Sequence, residues 1–217
     1  MRLTFTVLFL SSSVLAQTIG PNIPGEVSKK GKYMFYLHGG VVTALGDMAI
    51  NQSVPEWGPY EYSRILDSLR KRGFHVISEI RKESIHDSVY AWKIVKQVDS
   101  LTQRGAKINN MIVVGASAGW NITLLAASKI KNKKMKYVLM GGCWPETHKD
   151  YANLSLYGKF LSIIETTDPH GTCNSIFQER RTINTYKEIK LNTGLSHGFI
   201  YKGYKSWIDP IVAWSDD

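Results

Sequence analysis

A chain of 217 residues, 43% hydrophobic and 21% charged, is long enough to bury a full-sized core and too apolar to stay disordered. Seven prolines and eighteen glycines exclude a collagen-like or low-complexity chain, and no repeat at solenoid periods occurs. The formal net charge is +9, with lysines gathered at 29, 30 and 32 and again at 129, 131, 133, 134 and 136. No aromatic residues interleave with them as a stacking platform would need, so they read as a solvated basic face and nucleic acid is not an expected partner.

The opening "MRLTFTVLFLSSSVLAQ" has a positive residue, an apolar run over Leu3 to Leu10, and small residues at Val14 and Ala16. This is the pattern of an export signal, expected over residues 1–16 with cleavage after Ala16, leaving a single domain over 17–217. An uncleaved anchor or a buried N-terminal helix is the alternative. The stretch is too short for a membrane span and no later segment is apolar enough. The expected location is therefore secreted or periplasmic, with no stable membrane insertion.

Residues 17 to 31 form a polar lead-in. "YMFYLHGG" (33–40) is a short aromatic and apolar run ended by glycines, a buried strand. "YEYSRILDSLRKRGF" (60–74) puts Tyr62, Ile65, Leu66 and Leu69 on one helical face, with Gly73 as stop signal. "HVISEIR" is the next strand. "DSVYAWKIVKQVDSLTQRG" (87–105) is a second amphipathic helix, its apolar residues Val89, Trp92, Ile94, Val95, Val98 and Leu101. "NMIVVG" is a strand of interior character, and the helix after Ser117 runs to about Lys131. "KYVLMGGCW" (136–144), "KFLSIIETTD" (159–168) and "YKEIKLN" (186–192) are further strands. "SIFQERR" reads as a short helix, and "YKSWIDPIVAWSD" as a terminal one with Pro210 near or inside it. This alternation predicts an α/β fold, a mostly parallel central sheet with helices on both faces. Functional groups then collect at the carboxyl ends of strands, in the loops starting near His38, Gly115, Cys143, Asp168 and Leu195.

Gly115-Ala116-Ser117-Ala118-Gly119 matches G-x-S-x-G between an apolar strand and an apolar helix. A strand turning sharply into a helix needs small flanks, and all four neighbours of Ser117 are small. Ser117 is thus a candidate nucleophile, and the Ala118 amide a candidate oxyanion donor. "YLHGGVV" offers a second donor, Gly40 first and Val41 next, with His38 bracing the loop. His197, in the glycine-flanked "LNTGLSHGF", is the candidate base. His75, His86, His148 and His170 fit that role less well. The candidate acid is Asp168, just past the strand in "SIIETTDPHG", with Glu165 as competitor and Glu146 third.

Taken together, "YLHGG", "GASAG", "ETTDPHG" and "GLSHGF", in this order and at these separations, resemble the α/β-hydrolase superfamily in a small exported form. The likeness spans roughly residues 32 to 216. It implies Ser117, Asp168 and His197 as a catalytic triad and Gly40 and Ala118 as oxyanion donors. A serine hydrolase of esters or thioesters follows, acting on a small-molecule acyl substrate. The chain departs from the full pattern: it is too short for the first strands of an eight-stranded sheet, has no insertion for a large lid, and places Trp120 one step beyond the elbow. The superfamily also contains lipases, peptidases and acyltransferases, and likeness alone does not choose among them. The competing class is a non-catalytic binding protein on the same scaffold, recognising an anionic ligand by its basic face.

No cofactor is expected. No H-E-x-x-H or paired Cys/His spacing points to a metal site, so a metal-dependent hydrolase using His38, His148 or His170 has no motif behind it. The two cysteines, Cys143 and Cys173, allow one disulfide or two isolated thiols. Sequons stand at Asn51, Asn121 and Asn153, the second discounted because it begins the elbow helix.

Overall fold

The structure, a computed structural model, describes residues 16–51, 56–151, 153–177 and 182–217. The export signal expected at residues 1–16 thus falls almost wholly outside the described residues, as does the second half of the short helix expected at "SIFQERR".

In chain order the elements are β1 (Ile19–Gly20), β2 (Lys32–Leu37), α1 (Gly40–Leu45), α2 (Tyr62–Lys71), β3 (Phe74–Ile77), α3 (Asp87–Gln103) and β4 (Met111–Ala116). After them come α4 (Gly119–Ile130), β5 (Lys136–Met140), α5 (His148–Tyr151), β6 (Gly158–Glu165), α6 (Asn174–Phe177), β7 (Ile183–Leu191) and α7 (Lys205–Asp216). Among the described residues seven strands make one sheet in the order β1-β3-β2-β4-β5-β6-β7. Every neighbouring pair is parallel.

The central strands are apolar along their whole length because both sheet faces are covered. All residues of β4 and β5 are buried. Alternate side chains serve opposite layers. Tyr33, Phe35, Val113 and Leu139 pack with Ile94 and Val98 of α3 and Leu124 and Ala127 of α4. Met34, Tyr36, Val114 and Val138 pack on the other face with Ile65 and Leu69 of α2 and Trp207 and Ile211 of α7.

Strand β3 ends at Ile77 and β5 at Met140, short of the Arg81 and Trp144 expected, β7 starts at Ile183, before the Tyr186 expected, and three further features differ from the sequence expectation. The lead-in contains β1, only two residues long, which pairs with β3 at Ile19–Val76 and Gly20–Ile77. A two-residue pairing leaves no periodic pattern to read. The segment after "HGG", expected as a loop, is helical: Gly39 caps α1, which starts at Gly40. On α3, Val89 and Trp92 are exposed, while Tyr90, Ala91, Ile94, Val98 and Leu101 face the core. Two positions from Ile94, Trp92 lies about 200° around the helix axis. The Lys129 ammonium sits 4.9 Å from its ring centroid and covers it.

Because all strands run one way, the loops after β2, β4, β5, β6 and β7 gather at one rim. A disulfide, Cys143–Cys173, ties the loop after β5 to the segment after β6, with Cα atoms 5.1 Å apart. The bridge spans 30 residues of chain, a loop whose closure stabilises by about 3–4 kcal/mol in the chain-entropy account. The double variant Cys143→Ser/Cys173→Ser is expected to lose about that much in urea unfolding; an unchanged midpoint would remove the bridge as a stabilising element.

Candidate active site

The chain leaves β4 and enters α4 through Ser117 and Ala118, and the packing explains why glycine flanks them. A Cβ at Gly115 would lie 2.4 Å from Thr123 Oγ1 and 2.5 Å from the Gly119 carbonyl oxygen. A Cβ at Gly119 would lie 2.4 Å from the Leu37 carbonyl oxygen on β2. Ser117 takes the reversal with φ 48, the left-handed region that costs a non-glycine residue energy. Its N–H donates to the Met140 carbonyl at 2.8 Å and its carbonyl accepts from Trp120 N–H at 2.9 Å. The side chain is thereby left at the rim, with nowhere to turn but away from the sheet.

His197 lies in a short 3₁₀ segment, Ser196–Ile200, between β7 and α7. Asp168 stands three residues beyond the end of β6. The three side chains meet. Ser117 Oγ and His197 Nε2 are 2.9 Å apart, and His197 Nδ1 and Asp168 Oδ2 are 2.8 Å apart. With its proton on Nδ1, the ring donates to the carboxylate and accepts from the hydroxyl, a tautomer the two partners impose. All three residues are buried. Burial pushes the Asp168 carboxyl up, but the hydrogen bond and charge of His197, with the His170 amide, outweigh it and hold it below the usual carboxylate value. The charged form that can orient an imidazole is the one favoured.

Glu165, the competing acid, does something else. It accepts from Thr193 N–H at 3.0 Å and Thr193 Oγ1 at 2.6 Å. It thereby fixes the start of the loop that carries His197. Thr167 completes the clamp: Ser196 N–H donates to Thr167 Oγ1 at 3.1 Å, and Ser196 Oγ to the Thr167 carbonyl at 3.2 Å. Gly141, at the end of β5, leaves room for the pair, since a Cβ there would lie 3.0 Å from His197 Cε1 and 3.3 Å from Asp168 Oδ2. Glu146 has no place in this arrangement of hydrogen bonds.

Ala118 is the N-cap of α4 and Gly40 the first residue of α1. The first amides of a helix have no acceptor within it. A Cβ on Gly40 would stand 3.8 Å from Ala118 Cβ, so the two residues border the same space. They also line a cleft of about 210 Å³ with Thr43, Ala44, Lys82 and Tyr90. Val41, the second-choice donor, follows Gly40 inside α1.

His38 braces this loop from below. Its Nε2 accepts from Arg81 N–H at 3.0 Å, its Nδ1 donates to the Gly39 carbonyl at 2.9 Å, and its own carbonyl accepts from Arg81 Nη2 at 2.6 Å. Tyr60 Oη accepts from Gly39 N–H at 3.3 Å.

No family model matches the sequence, and the comparison with curated proteins finds no match. The likeness lies in the backbone. The structure is similar to that of the hyperthermophilic esterase from the archaeon Pyrobaculum calidifontis, with TM-score 0.55, 14% identity, and 88% of this chain and 78% of that one covered. It is also similar to dienelactone hydrolase from Anabaena variabilis, with TM-score 0.52, 14% identity and coverages of 88% and 87%. A lipase-esterase related protein from Clostridium acetobutylicum gives TM-score 0.52 at 14% identity, with coverages of 87% and 97%.

The chain has the α/β-hydrolase fold.

Within that fold, two side chains whose part the sequence did not reveal, Trp57 and His170, crowd the rim. Trp57 packs on His197 with ring centroids 5.4 Å apart. Trp120 is wholly buried beneath Gly142 and beside Tyr151, so it underlies the hydrolase-fold elbow and does not narrow the cleft. His170 stands edge-on to His197 at 4.7 Å between centroids. As expected, His170 is not the base: it is His197 that joins Ser117 to Asp168.

Burial, then the neighbouring Arg81 charge, pushes the His38 pKa from 6.5 to about 3. Between those values the unfolded chain holds a proton at His38 that the folded chain lacks, so stability rises with pH there and is lost as pH falls from 6.5 towards 3. His75 and His170, held low chiefly by burial, add to the same slope. Urea midpoints at pH 6.5 and 4.5 are expected to differ less in His38→Gln than in the wild type; an identical difference would show that His38 titrates normally.

Proposed function

We propose that the protein is a serine hydrolase that cleaves carboxylic or thio esters of small to medium acyl groups. The observation that carries this reading is the continuous Ser117–His197–Asp168 hydrogen-bonded chain, at 2.9 and 2.8 Å, on a strained turn between β4 and α4.

The chemistry follows from the parts. Ser117 Oγ is a weak nucleophile until its proton has a destination, and His197 Nε2 is hydrogen-bonded to it. As Oγ attacks the ester carbonyl, the proton passes to Nε2, and the imidazolium so formed faces the Asp168 carboxylate. The carbonyl oxygen becomes an oxyanion, received by the N–H groups of Gly40 and Ala118. Each such donor contributes ~10²–10³ in rate. His197 then gives its proton to the leaving alcohol or thiol, and the acyl group remains on Ser117. Water enters, loses a proton to Nε2, and a second tetrahedral species collapses to the free acid and the serine.

The three solved structures named above, an esterase, a dienelactone hydrolase and a lipase-esterase related protein, support the hydrolase class. Export belongs to the same proposal, and the Cys143–Cys173 bridge supports it because disulfides persist in oxidising compartments.

The test is a series of p-nitrophenyl esters graded in acyl length, with a fluorophosphonate probe alongside. Turnover is expected on short and medium acyl chains. Ser117→Ala is expected to lose on the order of 10⁴-fold or more in kcat, and the probe to add its mass to the peptide holding Ser117. Equal rates in wild type and Ser117→Ala would overturn the reading.

A further inference from the structure

The proposed mechanism makes no use of the His170 side chain, yet that side chain is built into the same corner. Pro169 and His170 turn the chain directly after Asp168, and the His170 amide donates to Asp168 Oδ1 at 3.1 Å. The carboxylate is thus held by His197 at one oxygen and by the turn at the other. The His170 ring lies against Trp144, centroids 5.1 Å apart, and edge-on to His197. Its Nε2 is 3.9 Å from Asp168 Oδ1, and its side chain keeps 30% of its surface exposed.

We propose that Asp168, His170 and His197 form an inhibitory site for a divalent transition metal of the zinc type. One ligand atom from each residue lies within 4.8 Å of the others, the sole such grouping among the described residues. Two imidazoles and a carboxylate are a zinc ligand set, with ligand distances of about 2.0–2.2 Å, which sets neighbouring ligand atoms of a tetrahedral site roughly 3.4 Å apart. The closing movement needed falls to His170, the most exposed of the three and the one not tied into the Ser117 hydrogen-bond chain. The fourth position is left to water.

Occupancy disables the base whichever nitrogen of His197 coordinates. Coordination through Nδ1 holds the neutral ring in the other tautomer: its single proton moves from Nδ1, by way of solvent, to Nε2, which then donates towards Ser117 Oγ and cannot accept from it. Coordination through Nε2 takes the lone pair that would receive the serine proton. Hard cations do not suit the set: magnesium and calcium prefer all-oxygen shells, whereas imidazole favours zinc and copper. The inhibition rests on the serine-hydrolase reading; the metal binding does not.

Two measurements keep these apart. Isothermal titration calorimetry with Zn²⁺ is expected to find one site in wild type and in Ser117→Ala, whose hydroxyl is no ligand, and in His86→Gln as a surface control. His170→Gln is expected to weaken that site by ~10-fold or more, since loss of even an outer-shell partner costs ~10–100-fold in affinity. Ester hydrolysis, each variant scored against its own metal-free rate, is expected to fall in wild type when the calorimetric site fills, to recover with a chelator, and to ignore Mg²⁺. His170→Gln is expected to need ~10-fold or more Zn²⁺ for the same loss. Equal zinc affinity in wild type and folded His170→Gln, judged by circular dichroism, overturns the site. A filled site with undiminished hydrolysis overturns the inhibition. If His170→Gln does not fold, loss of the wild-type Zn²⁺ heat on modification of histidine by diethyl pyrocarbonate supports the site, and its persistence overturns it. Absence of any esterase activity would sink the serine-hydrolase reading and leave the calorimetric result to stand alone.

Discussion

Everything at the functional rim depends on how closely α4 can approach β2 and β4. Two missing Cβ atoms, at Gly115 and Gly119, let the helix start against the Leu37 carbonyl. With that contact made, strand becomes helix across Ser117 and Ala118. Serine is then the residue at the apex, forced to φ 48. A conformation of that kind costs on the order of 1–3 kcal/mol, and it persists because the surroundings over-determine it. Ser117 N–H is bound by Met140 on β5, and α4 behind it is anchored by buried Trp120, Ile122 and Leu124.

A hydroxyl held in place is useful only if its partners are held as firmly, and here they arrive on loops. The structure meets this by making each loop fasten the next. Glu165, at the last position of β6, grips Thr193; Thr167 grips Ser196; the disulfide joins the loop after β5 to the segment after Asp168. On the other side His38, Arg81 and Tyr60 fix the Gly39–Gly40 backbone. Polar groups buried in such a network are costly when unpaired and rigid when satisfied, which suits a site whose geometry must not drift by an ångström.

Much of this was legible in the amino-acid order, for a physical reason in each case. Strands β2, β4 and β5 read clearly because burial on both faces makes them continuous apolar runs. The elbow read clearly because its steric demand is local: small residues on both sides of one serine. Asp168 could be preferred to Glu165 because the β6 ladder was expected to end before it, and it ends at Glu165 paired with Leu191. What stayed hidden depends on pairings far apart in sequence. Two residues of β1 leave no periodic trace, and Trp92 joined the apolar face only until the axis of α3 was fixed. The disulfide, the packing of Trp57 on His197, and the approach of His170 from the side are meetings between loops from different strands, which no local pattern encodes.

The central claim is that Asp168 fixes His197 in the form that bears its proton on Nδ1 and offers Nε2 to Ser117. Nitrogen-15 NMR of the imidazoles reads that directly. The account predicts that neutral His197 shows a protonated Nδ1 with a downfield, slowly exchanging proton signal, and that Asp168→Ala loses the signal and lets the ring drift to the other tautomer. A neutral His197 with its proton on Nε2 in the wild type would contradict it.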